Sequence, residues 1–69
     1  MNRVREYRVA WRMSQAELAR RVGMHRPSIT HIELGQVEPK TSSAFKIAGA
    51  LGTTVDELFP DEKGEADGR

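Results

Sequence analysis

The sequence predicts an all-α domain of five short helices, in which helices 2 and 3 form a helix-turn-helix unit. Apolar residues recur at helical spacing along the chain, and no segment shows the alternation of a half-buried strand. Residues 14–35 contain two such helical patterns joined tightly at Gly23, and they read S-Q-A-E-L-A-R-R-V-G-M-H-R-P-S-I-T-H-I-E-L-G. With 69 residues, the chain has room for one small hydrophobic core.

The first two helices are predicted from apolar spacing and from one start signal. Helix 1 spans about residues 3–11, and its apolar stripe consists of Val4, Tyr7 and Trp11. Helix 2 begins with a capping box, in which Ser14 accepts the backbone N–H of Glu17 and the Glu17 side chain reaches back to Ser14. Gly23 ends this helix, because glycine readily adopts the positive φ found just past a helix C-terminus.

Helix 3 is predicted from an early proline and from two inward-facing isoleucines. His25 occupies the N-cap position, and Pro27 lies in the first turn, where its missing N–H costs little. Ile29 and Ile32 face the core, and Gly35 ends the helix. The outer and N-terminal faces of this helix carry Arg26, Pro27, Ser28, Thr30 and His31.

Two further helices are expected to complete the core. Thr41 or Ser42 is expected to cap helix 4, which Gly52 ends. Thr54 and Glu57 form a second capping box at the start of a short helix 5. The expected core side chains are Val4, Tyr7, Leu18, Ala19, Val22, Met24, Ile29, Ile32, Ala44, Ile47, Ala48, Leu51, Val55 and Leu58.

The last ten residues differ in composition from the rest of the chain. Residues 60–69 are acidic, contain glycine and are nearly devoid of apolar side chains. A segment of this kind buries too little apolar surface to fold, so we expect it to be disordered. The predicted organisation is therefore a domain of residues 1–59 followed by an acidic tail of residues 60–69.

The small net charge of +1 conceals a strong charge polarity. Residues 1–31 hold seven arginines and two glutamates, a net charge of +5, whereas residues 32–59 and 60–69 each carry −2. The basic end contains the helix-turn-helix unit, and such clustering of arginine is typical of a nucleic-acid-binding surface. The alternative interpretation is a solvated charged face, which is common on helices of soluble proteins.

Several function classes are disfavoured by what the sequence lacks. The absence of cysteine excludes disulfides and thiolate metal sites, and the two histidines lack partner ligands at metal-binding spacing. We therefore expect no metal and no cofactor. No nucleophile and base occur together, so an enzyme is not expected. No apolar run approaches the roughly 20 residues of a membrane span, and no signal-peptide core follows the first residues, so we expect a cytoplasmic protein.

Four motifs in order relate the chain to a known family. They are M-S-Q-A-E-L-A-R-R-V-G-M, I-x-x-I-E-x-G, E-P-K before K-I-A-x-A-L-G, and V-D-E-L-F. With this order and spacing across residues 4–59, the chain resembles the lambda-repressor and Cro-like helix-turn-helix proteins. The resemblance implies a compact five-helix DNA-binding domain whose third helix enters the major groove. The sequence departs from the family at Arg12, where glycine usually ends the first helix.

The resemblance also implies roles for individual polar residues. In the family, an arginine of helix 1 pairs with the glutamate of the E-x-G motif, and the matching positions here are Arg8 and Glu33. The alternative is that these are two unrelated surface charges. The glutamine that opens helix 2 of the family touches the DNA backbone, and helix N-termini attract phosphate through their free N–H groups. The expected phosphate-binding residues are Arg12, Ser14, Gln15 and Lys40.

The candidates for reading bases lie on helix 3, and each has a less specific alternative. The planar guanidinium of Arg26 matches O6 and N7 of guanine, but binding to phosphate is the alternative. Thr30 and His31 lie one turn further along and are placed to reach neighbouring base edges, although a histidine at such a position is more often a solvated polar residue than a base-reading one. Pro27 or the methyl group of Thr30 contacts a thymine methyl, with the alternative that Pro27 only starts the helix, and Ser28 suits a base or a phosphate.

The expected function is that of a sequence-specific regulator of transcription that binds double-stranded DNA, as a repressor or autoregulator. It would act as a homodimer on half-sites about 34 Å apart, one turn of the double helix. The alternative is a protein-interaction module, antitoxin-like or an adaptor, that holds a protein partner and for which DNA binding is secondary.

Overall fold

The structure is a computed structural model that describes residues 2–60. These residues form five α-helices. They are α1 (Val4–Ala10), α2 (Gln15–Val22), α3 (Arg26–Glu33), α4 (Thr41–Ala50) and α5 (Val55–Leu58). No strand occurs within these residues, and the predicted all-α fold class is confirmed. The tail predicted for residues 60–69 lies, except for Pro60, outside the described residues.

The start of α2 follows the prediction in one of its two capping contacts. Ser14 Oγ accepts the backbone N–H of Glu17 at 3.0 Å, which satisfies one free donor of the first turn. The predicted return contact from the Glu17 side chain to Ser14 is wrong. The carboxylate of Glu17 instead binds the guanidinium groups of Arg20 and Arg21, because these offer full positive charges one turn along the same helix.

The boundaries of α3 lie where the sequence places them. His25 is the N-cap, with an extended backbone and no hydrogen bond from its side chain. At the other end, Gly35 has a φ of 77°, and the N–H of Gln36 donates to the carbonyl of His31 at 2.9 Å. This left-handed turn closes the helix and satisfies its last carbonyl groups.

The predicted cap of α4 is wrong, whereas the capping box predicted at α5 is present in one of its two contacts. The N-cap of α4 is Lys40, and Thr41 already belongs to the helix. The cause is a turn that forms earlier than expected, since the N–H of Ala44 donates to the carbonyl of Lys40 at 2.8 Å. At α5, Thr54 Oγ1 accepts the N–H of Glu57 at 3.2 Å, as predicted, but the Glu57 carboxylate contacts Tyr7 and Arg3 and makes no return contact to Thr54.

The core lies between α2, α3 and α4, because α2 packs against both of the other helices. The buried apolar side chains are Val4, Met13, Leu18, Ala19, Val22, Ile29, Ile32, Ala44, Ile47, Ala48, Leu51, Leu58 and Phe59. Tyr7, Met24 and Val55, which were expected in the core, are half-buried and pack against its edge. For Tyr7 the reason is its hydroxyl, which reaches outward to Glu57 Oε1 at 3.4 Å.

Both ends of α1 are held by hydrogen bonds to distant parts of the chain. The N–H of Arg3 donates to the carbonyl of Leu58 at 2.8 Å, next to the end of α5. At the other end, the indole N–H of Trp11 donates to the carbonyl of Leu51 at 2.8 Å. α1 is thereby fixed across the bundle. None of the helices in residues 2–60 has the length and apolar character needed to cross a bilayer.

Candidate nucleic-acid interface

The side chains of α3 divide cleanly between core and solvent. Ile29 and Ile32 are 0% and 2% exposed and fix the helix to the bundle. The five polar candidates comprise exposed Arg26, Pro27 and His31 and half-buried Ser28 and Thr30. The outer side of α3 is therefore available along its whole length, while its inner side is anchored.

A groove beside α3 brings together two kinds of candidate residue. Its volume is about 330 Å³, and Ser28 and His31 line it from α3. The opposite wall is the loop before α4, including Lys40. A residue expected to bind phosphate thus faces the same groove as two residues expected to reach bases.

A second concave site lies at the start of α2. Its volume is about 380 Å³, and it is lined by Arg12, Ser14 and Arg21 among others. Arg21 was not singled out from the sequence, because its position on the helix gives no sign of its proximity to Arg12. Glu17 also lines the site and binds Arg21, so the guanidinium left without a carboxylate there is that of Arg12, beside the helix N-terminus.

The backbone at Arg12 adopts a conformation that usually requires glycine. Its φ is 57°, and it is the one residue besides glycine with positive φ in residues 2–60. The N–H of Met13 donates to the carbonyl of Arg8 at 3.1 Å, which forms the left-handed turn at the end of α1. A side chain at such a position costs about 1–2 kcal/mol relative to the right-handed conformation.

Arg8 and Glu33 form a paired contact between α1 and the end of α3. Arg8 Nε donates to Glu33 Oε2 at 2.6 Å, and Arg8 Nη2 donates to Glu33 Oε1 at 3.2 Å. The two side chains are only 11% and 4% exposed. Arg8 Nη1 also donates to the carbonyl of Met13 at 2.7 Å, so the guanidinium is held on three sides.

The side chain of Gln15 is hydrogen-bonded within the protein and is therefore not free to bind phosphate. Its Nε2 donates to Glu33 Oε1 at 3.1 Å, and its Oε1 accepts the hydroxyl of Thr30 at 2.8 Å. A contact with phosphate is thus left to its backbone N–H in the first turn of α2. The link from Gln15 to Thr30 carries no local sequence signal, because it depends on the angle between α2 and α3.

The acidic side chain on α2, Glu17, neutralises part of the positive charge of Arg20 and Arg21. A hydrogen bond from Arg21, with the nearby charge of Arg20, holds the pKa of Glu17 below its ordinary value. Glu17 therefore stays ionised and orders the two arginines on the exposed side of α2. The remaining arginine of the unit, Arg26, lies in the first turn of α3, which contains no acidic residue.

The two histidines do not form a metal site with other residues of the described chain. In residues 2–60, no three side chains of histidine, cysteine, aspartate or glutamate are grouped to hold a metal ion. His25 caps α3 and His31 lies in its last turn.

Comparison with known proteins identifies the family of this chain. Residues 4–58 match the family model described as Helix-turn-helix. An uncharacterized HTH-type transcriptional regulator of Archaeoglobus fulgidus is 39% identical over 57 residues, which cover 83% of this chain and 81% of that protein.

Solved structures are similar over most of the chain. NHTF, a hypothetical transcription factor from Neisseria, aligns with a TM-score of 0.74 and 31% identity, covering 96% of this chain and 76% of that one. ClgR, the clp gene regulator of Corynebacterium glutamicum, aligns with a TM-score of 0.77 over 90% of this chain. This chain spans 66% of the ClgR chain, and at 21% identity the likeness concerns the fold alone.

The fold and its polar third helix define a small helical DNA-binding protein. The family match extends over nearly all of the described residues. The chain belongs to the helix-turn-helix family, a class of DNA-binding transcription regulators and not of enzymes.

Proposed function

We propose that this protein regulates transcription by reading double-stranded DNA with α3 in the major groove, as a repressor or autoregulator. The observation that carries the proposal is the division of α3 into an anchored apolar side and an accessible polar side. An α-helix fits the width of the major groove, where every base pair presents a distinct pattern.

Arg26 is the principal base-reading residue in this proposal. It is exposed in the first turn of α3, the end of the helix that contacts base edges in proteins of this architecture. Its two parallel N–H groups match O6 and N7 of guanine. Thr30 and His31 contact neighbouring bases, and Pro27 and Ser28 contact a thymine methyl and a base or phosphate, respectively.

Phosphate contacts at two places outside α3 position the helix. One is the start of α2, with Arg12, Ser14 and the backbone of Gln15, and the other is Lys40 in the groove beside α3. Contacts of this kind set register and orientation without selecting sequence. Arg8 and Glu33 serve the same end from inside, by fixing α1 to the end of α3.

Assembly as a homodimer in the cytoplasm completes the proposal. A single module of this kind has a small interface with DNA, and two-fold symmetry doubles it on half-sites about 34 Å apart. The surface offers side chains for such an interface, since Trp11 and Phe45 are 61% and 64% exposed.

Selection of binding sites from random duplex DNA tests the proposal. We expect the wild type to select a two-fold symmetric motif. Arg26→Ala should lose the preference for guanine at one position of each half-site by about 1–3 kcal/mol. Equal weakening on all sequences would assign Arg26 to phosphate. His31→Ala, measured in parallel, shows whether His31 reads a base or is only solvated.

Salt dependence separates DNA reading from the second candidate function, a protein-interaction module. The logarithm of the binding constant should fall against the logarithm of salt concentration with a slope of about −0.9 per neutralised phosphate. The exposed apolar residues also suit a protein partner. Absence of DNA binding at low salt would overturn the proposal and favour that partner.

A further inference from the structure

We propose that Thr30 selects a base with an exocyclic amino group, adenine or cytosine, because its hydroxyl proton is used inside the protein. The inference rests on the proposed function, since it requires α3 to enter the major groove. It adds a role for Gln15, which acts as a positioning residue that sets the hydrogen-bonding direction of Thr30.

The direction of the hydrogen bonds follows from the charge on Glu33. Its carboxylate, paired with Arg8, can only accept hydrogen bonds. The amide of Gln15 must therefore turn its NH₂ group toward Glu33, where Nε2 lies 3.1 Å from Oε1. With the NH₂ group so placed, the amide oxygen of Gln15 faces Thr30.

The hydroxyl of Thr30 has one proton, and both of its neighbours are acceptors. Its oxygen lies 2.8 Å from Gln15 Oε1 and 3.3 Å from the carbonyl oxygen of Arg26. Neither oxygen carries a hydrogen, so Thr30 donates inward whichever partner it uses. What remains for DNA is a lone pair on the hydroxyl oxygen and the methyl group.

This restriction matches one distinction in the major groove. Adenine N6 and cytosine N4 are donors, whereas guanine O6 and thymine O4 are acceptors. A lone pair bonds the amino groups and is repelled by the keto oxygens. Because each base pair has one amino base and one keto base, Thr30 would report which strand carries the amino base.

Thr30 is placed where such a contact is possible. It is half-buried, one helical turn beyond exposed Arg26 on the same side of α3. With Gln15, Arg8 and Glu33 it lines a cavity of about 450 Å³. The hydroxyl therefore lies between the interior hydrogen-bond chain and the surface that faces DNA.

Binding-site selection with three variants tests the inference. The position that Thr30 reads is the one whose preference changes in Thr30→Val, which keeps the shape and loses the hydroxyl. At that position we expect the wild type to favour adenine or cytosine over guanine or thymine on one strand by about two- to ten-fold, the worth of one hydrogen bond. Thr30→Ser should keep this preference, and Gln15→Met should weaken it.

Two outcomes would overturn the inference while leaving the proposed function intact. One is a selected motif in which no position changes in Thr30→Val. The other is a preference, at the position that does change, that does not separate amino from keto bases, such as adenine and guanine over cytosine and thymine on the same strand. A wild type that selects no motif at all would instead remove the proposed function, and this inference with it.

A measurement on the free protein tests the Gln15–Thr30 contact by itself. In a double-mutant cycle with Gln15→Met and Thr30→Val, we expect the two changes to be coupled in the unfolding equilibrium by about two- to ten-fold. Additive effects would show that the two side chains do not interact, and the inference would fail whatever the DNA selection gives.

Discussion

Arg8 and Glu33 lie 25 positions apart in the chain and meet through two N–H···O contacts of 2.6 and 3.2 Å. Their side chains are 11% and 4% exposed. The contact joins α1 to the last residue of α3, the helix proposed to read DNA. Buried pairs of this kind fix geometry more reliably than they add stability, because removing two charges from water is costly.

Removal of one partner of this pair should be strongly destabilising. For Glu33→Ala we expect the free energy of unfolding to fall by about 3–5 kcal/mol, because Arg8 is left charged and unpaired in a buried site. Urea denaturation followed by circular dichroism measures the change. Glu6→Ala is the matched control, since its contact with Arg3 is exposed and should contribute less than about 1 kcal/mol. Equal losses in both variants would show that the Arg8–Glu33 pair is not buried in solution.

Arg12→Gly should stabilise the protein and weaken its binding to DNA. Glycine relieves the left-handed backbone, which has a φ of 57° at Arg12, and we expect a gain of about 1 kcal/mol. The same change removes a guanidinium proposed to bind phosphate. Thermal unfolding and DNA titration measure the two effects.

Arg12→Lys is the control for this pair of effects. It keeps the positive charge and a side chain in the left-handed conformation, so neither stability nor salt dependence should change greatly. If Arg12→Gly lowered the melting temperature, the turn at the end of α1 would not be left-handed in solution.

Lys40→Ala should reduce the salt dependence of DNA binding without altering the selected sequence. One phosphate contact fewer lowers the magnitude of the slope by about 0.9. Arg3→Ala removes the same charge elsewhere, where the guanidinium is already paired with Glu6, and should leave the slope nearly unchanged. Equal changes in the two variants would indicate a general effect of net charge, and no contact at Lys40.

The stability of the protein should depend on Glu17 in acid. The hydrogen bond from Arg21 is the main cause that lowers the pKa of Glu17 below 4.5. The folded state then binds fewer protons than the unfolded state, so this contribution is present above about pH 4.5 and is lost as the pH falls through the folded pKa.

Comparison of Glu17→Gln with the wild type isolates that contribution. Urea midpoints measured from about pH 6 to about pH 3 should fall less steeply for the variant. Glu38→Gln, in the loop before α4, removes one negative charge elsewhere as a control. Parallel pH profiles for Glu17→Gln and the wild type would contradict the prediction.

The parts of the fold that were predictable are those with short-range causes. The caps at Ser14 and Thr54 each involve a backbone N–H three residues away, so spacing alone identifies them. The same holds for the left-handed turn at Gly35. The inward positions of Ile29 and Ile32 follow from helical periodicity.

The features that could not be predicted from the sequence depend on a choice between competing local contacts or on how helices pack. The contact of Glu17 with Arg20 and Arg21 competes with a cap of similar energy, and the choice between them is not visible in residue types. The approach of Gln15 to Thr30 needs the relative placement of α2 and α3. Likewise, the proximity of Arg8 and Glu33 was expected from family resemblance, and no spacing along the chain indicates it.

The indole contact at the end of α1 provides an intrinsic fluorescence probe of the fold. Trp11 is the single tryptophan of the chain, and its N–H bonds the carbonyl of Leu51, 40 positions away. Detachment of α1 from α4 would break this hydrogen bond and alter the surroundings of the partly exposed ring, which would change its fluorescence. Tryptophan fluorescence therefore reports whether the contact between the end of α1 and the end of α4 is intact, without an added label.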